Sequence, residues 1–105
     1  MPDNIKIKDV KKGQLVWECH QGNVALIACQ DAYPFEDREN HYPPGTRFTA
    51  YNLHNETYVN MYEADESKGY GLRLYSYPQY TGLSFKDAIM LMGRLAKFYQ
   101  DGGPE

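Results

Sequence analysis

Long apolar runs are missing from this chain. The longest, Val24–Cys29, has six residues, far short of the ~20 that a membrane-spanning helix needs. The opening Met1-Pro2-Asp3-Asn4 lacks a charged stretch followed by an apolar one, so no secretory leader is expected and the expected setting is the cytoplasm. A basic excess is missing as well. Eleven Lys and Arg face fourteen Asp and Glu, a net charge of −3, which argues against a binder of double-stranded nucleic acid. Catalytic signatures are equally scarce. The chain has no Gly-x-Ser-x-Gly elbow, phosphate-binding glycine loop, His-Glu-x-x-His or Cys-x-x-Cys. Internal repeats and low-complexity tracts are missing too.

Cysteine is limited to Cys19 and Cys29. A hairpin turning at Gln21-Gly22-Asn23 sets them about four strand positions apart, roughly 13 Å and beyond disulfide reach. Both are expected to be free thiols. Cys19 and His20 are neighbours on a strand and point to opposite faces, and no second pair stands at ligand spacing, so neither a metal site nor a cofactor is expected.

What the chain does have is enough apolar content, 42% over 105 residues, for one core in a single domain spanning 1–105. Alternating apolar residues mark the strands. Ile5-Lys6-Ile7-Lys8 reads as a short edge strand, and Leu15–His20 and Val24–Ala32 as a hairpin whose second arm is the most central strand. Thr46–Leu53, Thr57–Glu63 and Tyr70–Tyr75 follow. In Thr46–Leu53, Phe48 and Ala50 oppose Arg47, Thr49 and Tyr51. In Thr57–Glu63, Val59 and Met61 oppose Tyr58, Asn60 and Tyr62. This period of two predicts an antiparallel sheet with one dry side. Between Tyr33 and Gly45 an acidic, proline-punctuated loop is expected.

Ser84 is a helix N-cap signal, and Gly102-Gly103-Pro104 a stop. Between them Phe85, Ala88, Ile89, Met92, Leu95, Ala96 and Tyr99 form a stripe at helical spacing. The expected architecture is α+β: a curved or partly barrel-like antiparallel sheet of about five strands with one C-terminal helix packed on it. Trp17, Leu26, Phe48, Val59, Leu72, Ile89 and Met92 are expected to share one core. Gly93 interrupts the helix at a cost of ~1 kcal/mol relative to Ala, which a close approach to the sheet or to another helix would offset.

Charge is segregated. Residues 31–66 hold eight acids (Asp31, Glu36, Asp37, Glu39, Glu56, Glu63, Asp65, Glu66) against Arg38 and Arg47, a net of −6. An acidic patch of that kind suits a basic partner surface. Tyrosine is abundant, with ten residues, six of them from Tyr58 to Tyr80. Tyrosine suits recognition because it gives large rigid contact area at low entropic cost. The candidate binding residues are therefore Tyr58, Tyr62, Arg73, Tyr75, Tyr77 and Tyr80, together with Glu36, Asp37 and Glu39. Tyr75, Tyr77 and Tyr80 are expected to be partly exposed beside Arg73, near Tyr58 or Tyr62. His54 and Glu56 share a turn and are the candidate acid–base pair if the protein is an enzyme.

The stretch Asp9-Val10-Lys11-Lys12-Gly13-Gln14-Leu15-Val16-Trp17-Glu18-Cys19, with Leu74-Tyr75 and Pro78-Gln79-Tyr80, resembles small uncharacterised accessory proteins of tailed bacteriophages. The resemblance implies the cytoplasm of an infected bacterium and a role in binding or disabling a host factor. It carries no defined site to any residue. The leading expectation is a non-enzymatic module that inhibits a host protein such as a defence component. The alternatives are a sponge that sequesters a nucleotide-like signal between aromatic side chains, at a homodimer interface, and a small enzyme using His54 and Glu56.

Overall fold

The computed structural model describes residues 4–68 and 71–104. Six strands and one helix follow in order: β1 (Leu15–Glu18), β2 (Val24–Ala28), β3 (Tyr33–Phe35), β4 (Gly45–Asn52), β5 (Thr57–Ala64), β6 (Leu74–Tyr75) and α1 (Phe85–Gln100). All pairings are antiparallel. One edge of β4 runs along β5. Its other edge is divided, with Gly45–Arg47 pairing β3 and Ala50–Asn52 pairing β2. Then come β1 and β6, so the sheet is five strands wide and curls into a half-barrel. The fold is α+β, with one C-terminal helix on a curled antiparallel sheet.

The sheet is dry on its concave face and also on the part of its convex face that lies under the helix, where the alternation predicts one dry side. The concave face holds Val16, Leu26, Ala28, Phe48, Ala50 and Leu74, closed over by Ile7 and Val10. The convex face holds Trp17, Cys19, Ala25, Ile27 and Leu53 under Leu91 and Phe98 of α1. Burial on both faces is why β2 reads as a continuous apolar run. It also divides the single core expected from sequence. Leu26 and Phe48 lie inside the curl with Val59 and Leu72 against them, whereas Trp17 lies under the helix.

The helix begins and ends where its signals stand. Ser84 Oγ accepts from the Asp87 N–H at 3.0 Å, and Gly102 and Gly103 take positive φ after Gln100. Its rotation differs from the expected one. Leu91 and Phe98 are buried while Ile89 and Met92 are exposed. The helix is apolar around more than half its circumference, so two overlapping stripes compete for the sheet. Phe98 wins its place by stacking on Tyr51 of β4, 4.5 Å between centroids and 16° between planes. Arg94 anchors the same side, donating from Nη1 to the carbonyls of Leu53 (2.9 Å) and His54.

Three further local expectations change. The Ile5–Lys8 strand is reduced to one bridge, Ile5 to Leu74, followed by a 3-10 turn at Ile7–Asp9. Ile7 of that turn lies in the concave core with Ile5 partly buried against it, the shared face that the alternation of the two residues expects. Tyr33–Phe35 is a strand, which shortens the acidic loop to 36–44. Pro34 is tolerated there because β3 lies at the sheet margin. Of the expected strand Tyr70–Tyr75 only Leu74–Tyr75 is regular, and its first residue lies outside the described residues.

Gly45 begins β4 at a crowded point. A Cβ there would lie 2.7 Å from the Tyr62 ring and run into the Glu63 carbonyl, so only glycine lets β5 close over this end of β4.

Candidate functional site

The β4–β5 register decides which tyrosines meet. Arg47 faces Tyr62, Thr49 faces Asn60 and Tyr51 faces Tyr58, and directly opposed residues project from one face. That face is convex and outward, since Phe48 and Ala50 fill the concave core. At one end the 36–44 loop brings Tyr42 against Tyr62 (5.8 Å between centroids) and β3 brings Phe35 against the same ring (5.9 Å, 78°). The Arg47 guanidinium lies over Phe35, 5.1 Å from its centroid. Phe35, Tyr42, Arg47, Asn60 and Tyr62 line a cleft of about 250 Å³.

The carboxylates of Glu66, Asp65 and Asp37 stand close enough to act on Tyr62. Asp37 organises the loop, its two oxygens accepting from the Glu39 and His41 N–H groups at 3.0 Å each, while Glu36 and Glu39 stand exposed. The Tyr62 hydroxyl donates to the Pro43 carbonyl. Burial raises its pKa above the ordinary tyrosine value, and the negative charges of Glu66, Asp65 and Asp37 push it further. The Arg47 Nε is shielded from solvent without a hydrogen-bond partner among the described residues.

At the other end of the same face Tyr51 meets Tyr58 edge-on, 5.0 Å between centroids. A second cleft of about 380 Å³ there includes Glu56, Tyr58, Arg94 and Lys97. Glu56 approaches Arg94 Nε at 3.4 Å. The His54 Nε2 is shielded and without a hydrogen-bond partner among the described residues. Burial, then the charge of Arg94, holds the His54 pKa below its ordinary value. Among the described residues no group of three His, Cys, Asp or Glu is placed to hold a metal ion, and no helix is long and apolar enough to cross a membrane. Both cysteines are free.

The remaining candidates form a separate set. β6 pairs with β1 and not with β5, so the strand pairing expected between Arg73–Tyr75 and the Tyr58–Tyr62 strand is not formed. The segment before β6 meets β5 instead, where the Leu72 N–H donates to Glu63 Oε2 (2.7 Å). Tyr75 packs against the core under the helix. Tyr77 and Tyr80 are about half exposed (53% and 47%) on a loop pinned to the β1–β2 hairpin. Asn23 Oδ1 accepts from the N–H groups of Gln79 (2.9 Å) and Tyr80 (3.0 Å), and Asn23 Nδ2 donates to the Tyr80 carbonyl (2.8 Å). Arg73 is exposed, and its carbonyl accepts from the Cys19 N–H.

The structure therefore joins Tyr62 to the acidic loop through Tyr42, Pro43 and Asp37, while Glu36 and Glu39 stand exposed on the same loop. It adds Phe35, Tyr42 and Arg47, which sequence reasoning missed as site residues. The signal for Arg47 was present, because aligning β4 with β5 through the turn at 53–56 sets Arg47 opposite Tyr62. No family model, curated protein or solved structure matches this chain.

Proposed function

We propose that this protein is a non-enzymatic binding module whose partner is a protein presenting basic side chains. In line with the phage resemblance, that partner is a host protein, such as a defence component, bound and inhibited in the host cytoplasm. The observation that carries the reading is the aromatic cleft of Phe35, Tyr42 and Tyr62, with the carboxylates of Glu66, Asp65 and Asp37 close to Tyr62. Aromatic faces attract cations through their quadrupole, and a surface of one charge sign speeds encounter with a partner of the other. The guanidinium of Arg47 already rests on Phe35, so the ring geometry suits an arginine. A nucleotide-like ligand finds support in Arg47 alone, and the carboxylates of Asp37, Asp65 and Glu66 around Tyr62 work against a phosphate.

The test is capture from host lysate by the immobilised protein, eluted with rising salt. One host protein is expected to be retained by the parent chain, to leave as salt rises, and to be lost with a Glu36→Lys, Glu39→Lys double variant or with Tyr42→Ala. Retention unchanged by both variants overturns the reading. So does selective thermal stabilisation by one nucleotide in the absence of any captured protein.

A further inference from the structure

Helix α1 presents to solvent a second apolar stripe that the rest of the described chain leaves largely uncovered; only Tyr99 at its end is tied back, its hydroxyl donating to the Gly13 carbonyl (3.3 Å). Phe85 is 82% exposed, Met92 68%, Ile89 53%, Tyr99 48% and, just before the helix, Leu83 37%; Ala96 is exposed with them. The order Phe85, Ile89, Met92, Ala96, Tyr99 steps by four, three, four and three residues. That 3.5-residue repeat is the seam of a helix that packs along another helix, distinct from the broader stripe that docks on a sheet.

We infer that this seam pairs with the same seam of a second copy of the chain, the two helices running antiparallel. Three observations commit the face to that occupant. First, the seam is self-complementary in size. An antiparallel pairing centred between residues 90 and 91 lays Phe85 on the partner's Ala96 and Ile89 on the partner's Met92, and sets Tyr99 against the partner's Gly82, beside its Leu83. The largest exposed side chain then meets the smallest, whereas a parallel pairing stacks Phe85 on itself and leaves a gap between two alanines.

Second, the charges flanking the seam fit. On its solvent side stand Lys86, Gly93 and Gln100, and antiparallel packing sets Lys86 opposite the partner's Gly93, so no like charges meet. Gly93 has no role within one copy, since a Cβ there would meet nothing within 4 Å. The opposed helix dipoles add a small favourable term. Third, the area suffices. At roughly 200 Å² for each fully exposed large side chain, the exposed fractions amount to about 500 Å² per copy. The pair would bury about 1,000 Å² in total, which reaches the threshold of a specific interface. An apolar cleft of about 160 Å³ runs beside the seam, between Leu83, Ala88, Met92 and Leu95 on one wall and Leu15, Trp17, Ala25 and Leu53 on the other. It offers the partner's flanking side chains a dry recess.

Sedimentation equilibrium of the full chain at about 100 µM tests the pairing. The parent is expected at the mass of two chains. Met92→Lys, at a residue exposed in the single copy, is expected to weaken association at least ~10-fold while leaving the melting temperature measured at low concentration unchanged. Direction is read by cysteine trapping. Phe85→Cys mixed with Ala96→Cys is expected to give a mixed disulfide, and Phe85→Cys alone none through that position. A parent that stays monomeric at this concentration overturns the proposal, whatever else binds the helix. A Met92→Lys dimer as tight as the parent, or a Phe85→Cys homodisulfide formed in preference to the mixed one, overturns it as well.

Discussion

Phe85 and Phe98 lie on the same helix and differ chiefly in which way they point, so truncating each one measures the rotation of α1 directly. Phe98 is 7% exposed and stacks on Tyr51, with Tyr99 edge-on beside it. Phe98→Ala removes that ring from the core beneath the helix and leaves a cavity the flanking Leu91 and Leu95 fill only in part, at a cost of ~3–5 kcal/mol. For a domain of this length each kcal/mol lowers the melting temperature by about 4–5 °C, so a fall of about 12–25 °C is expected. Phe85→Ala removes a ring that is 82% exposed, and its cost should stay within about 0.5 kcal/mol. Urea or thermal unfolding followed by Trp17 fluorescence reports both, because Trp17 lies in the core that the helix covers. The measurement belongs at low micromolar protein, where pairing of seams adds little to apparent stability. Equal losses for the two variants, or a large loss for Phe85→Ala with a silent Phe98→Ala, would refute the observed docking face and restore the stripe through Phe85, Ile89 and Met92.

Two further outcomes are expected. Because burial and Arg94 depress the His54 pKa, the unfolded chain takes up a proton near pH 6.5 while the folded chain does not; stability should therefore fall as pH drops below about 6.5. In His54→Gln that part of the slope should vanish, and parent and variant curves running parallel from pH 7.5 to 5 would contradict this. Asn23→Ala removes the side chain that pins Gln79 and Tyr80. It should cost ~1–2 kcal/mol and speed amide exchange at residues 77–80, and unchanged protection there would show that the loop is held by something else.

The sequence by itself determined the elements whose signals are local. The period of two placed β4 and β5 and correctly sorted Phe48, Ala50, Val59 and Met61 from Arg47, Thr49, Tyr51, Tyr58, Asn60 and Tyr62, because a strand's pleat leaves no other arrangement. Ser84 and the Gly102-Gly103 pair set the ends of the helix, because free N–H groups and left-handed backbone need those residue types. Tertiary structure alone decided the rest. The curved sheet was itself expected, but alternation cannot say that both of its faces will be covered, and that covering sent Trp17 and Leu26 into different cores. Periodicity cannot choose between stripes on a helix that is apolar around more than half its surface. That choice fell to the Tyr51 ring and the carbonyls of Leu53 and His54, partners 40 or more residues away. The candidate site shows the same division. Each tyrosine's face was legible along its own strand, but the acidic loop reached Tyr62 only once β3 and β5 had closed on Gly45.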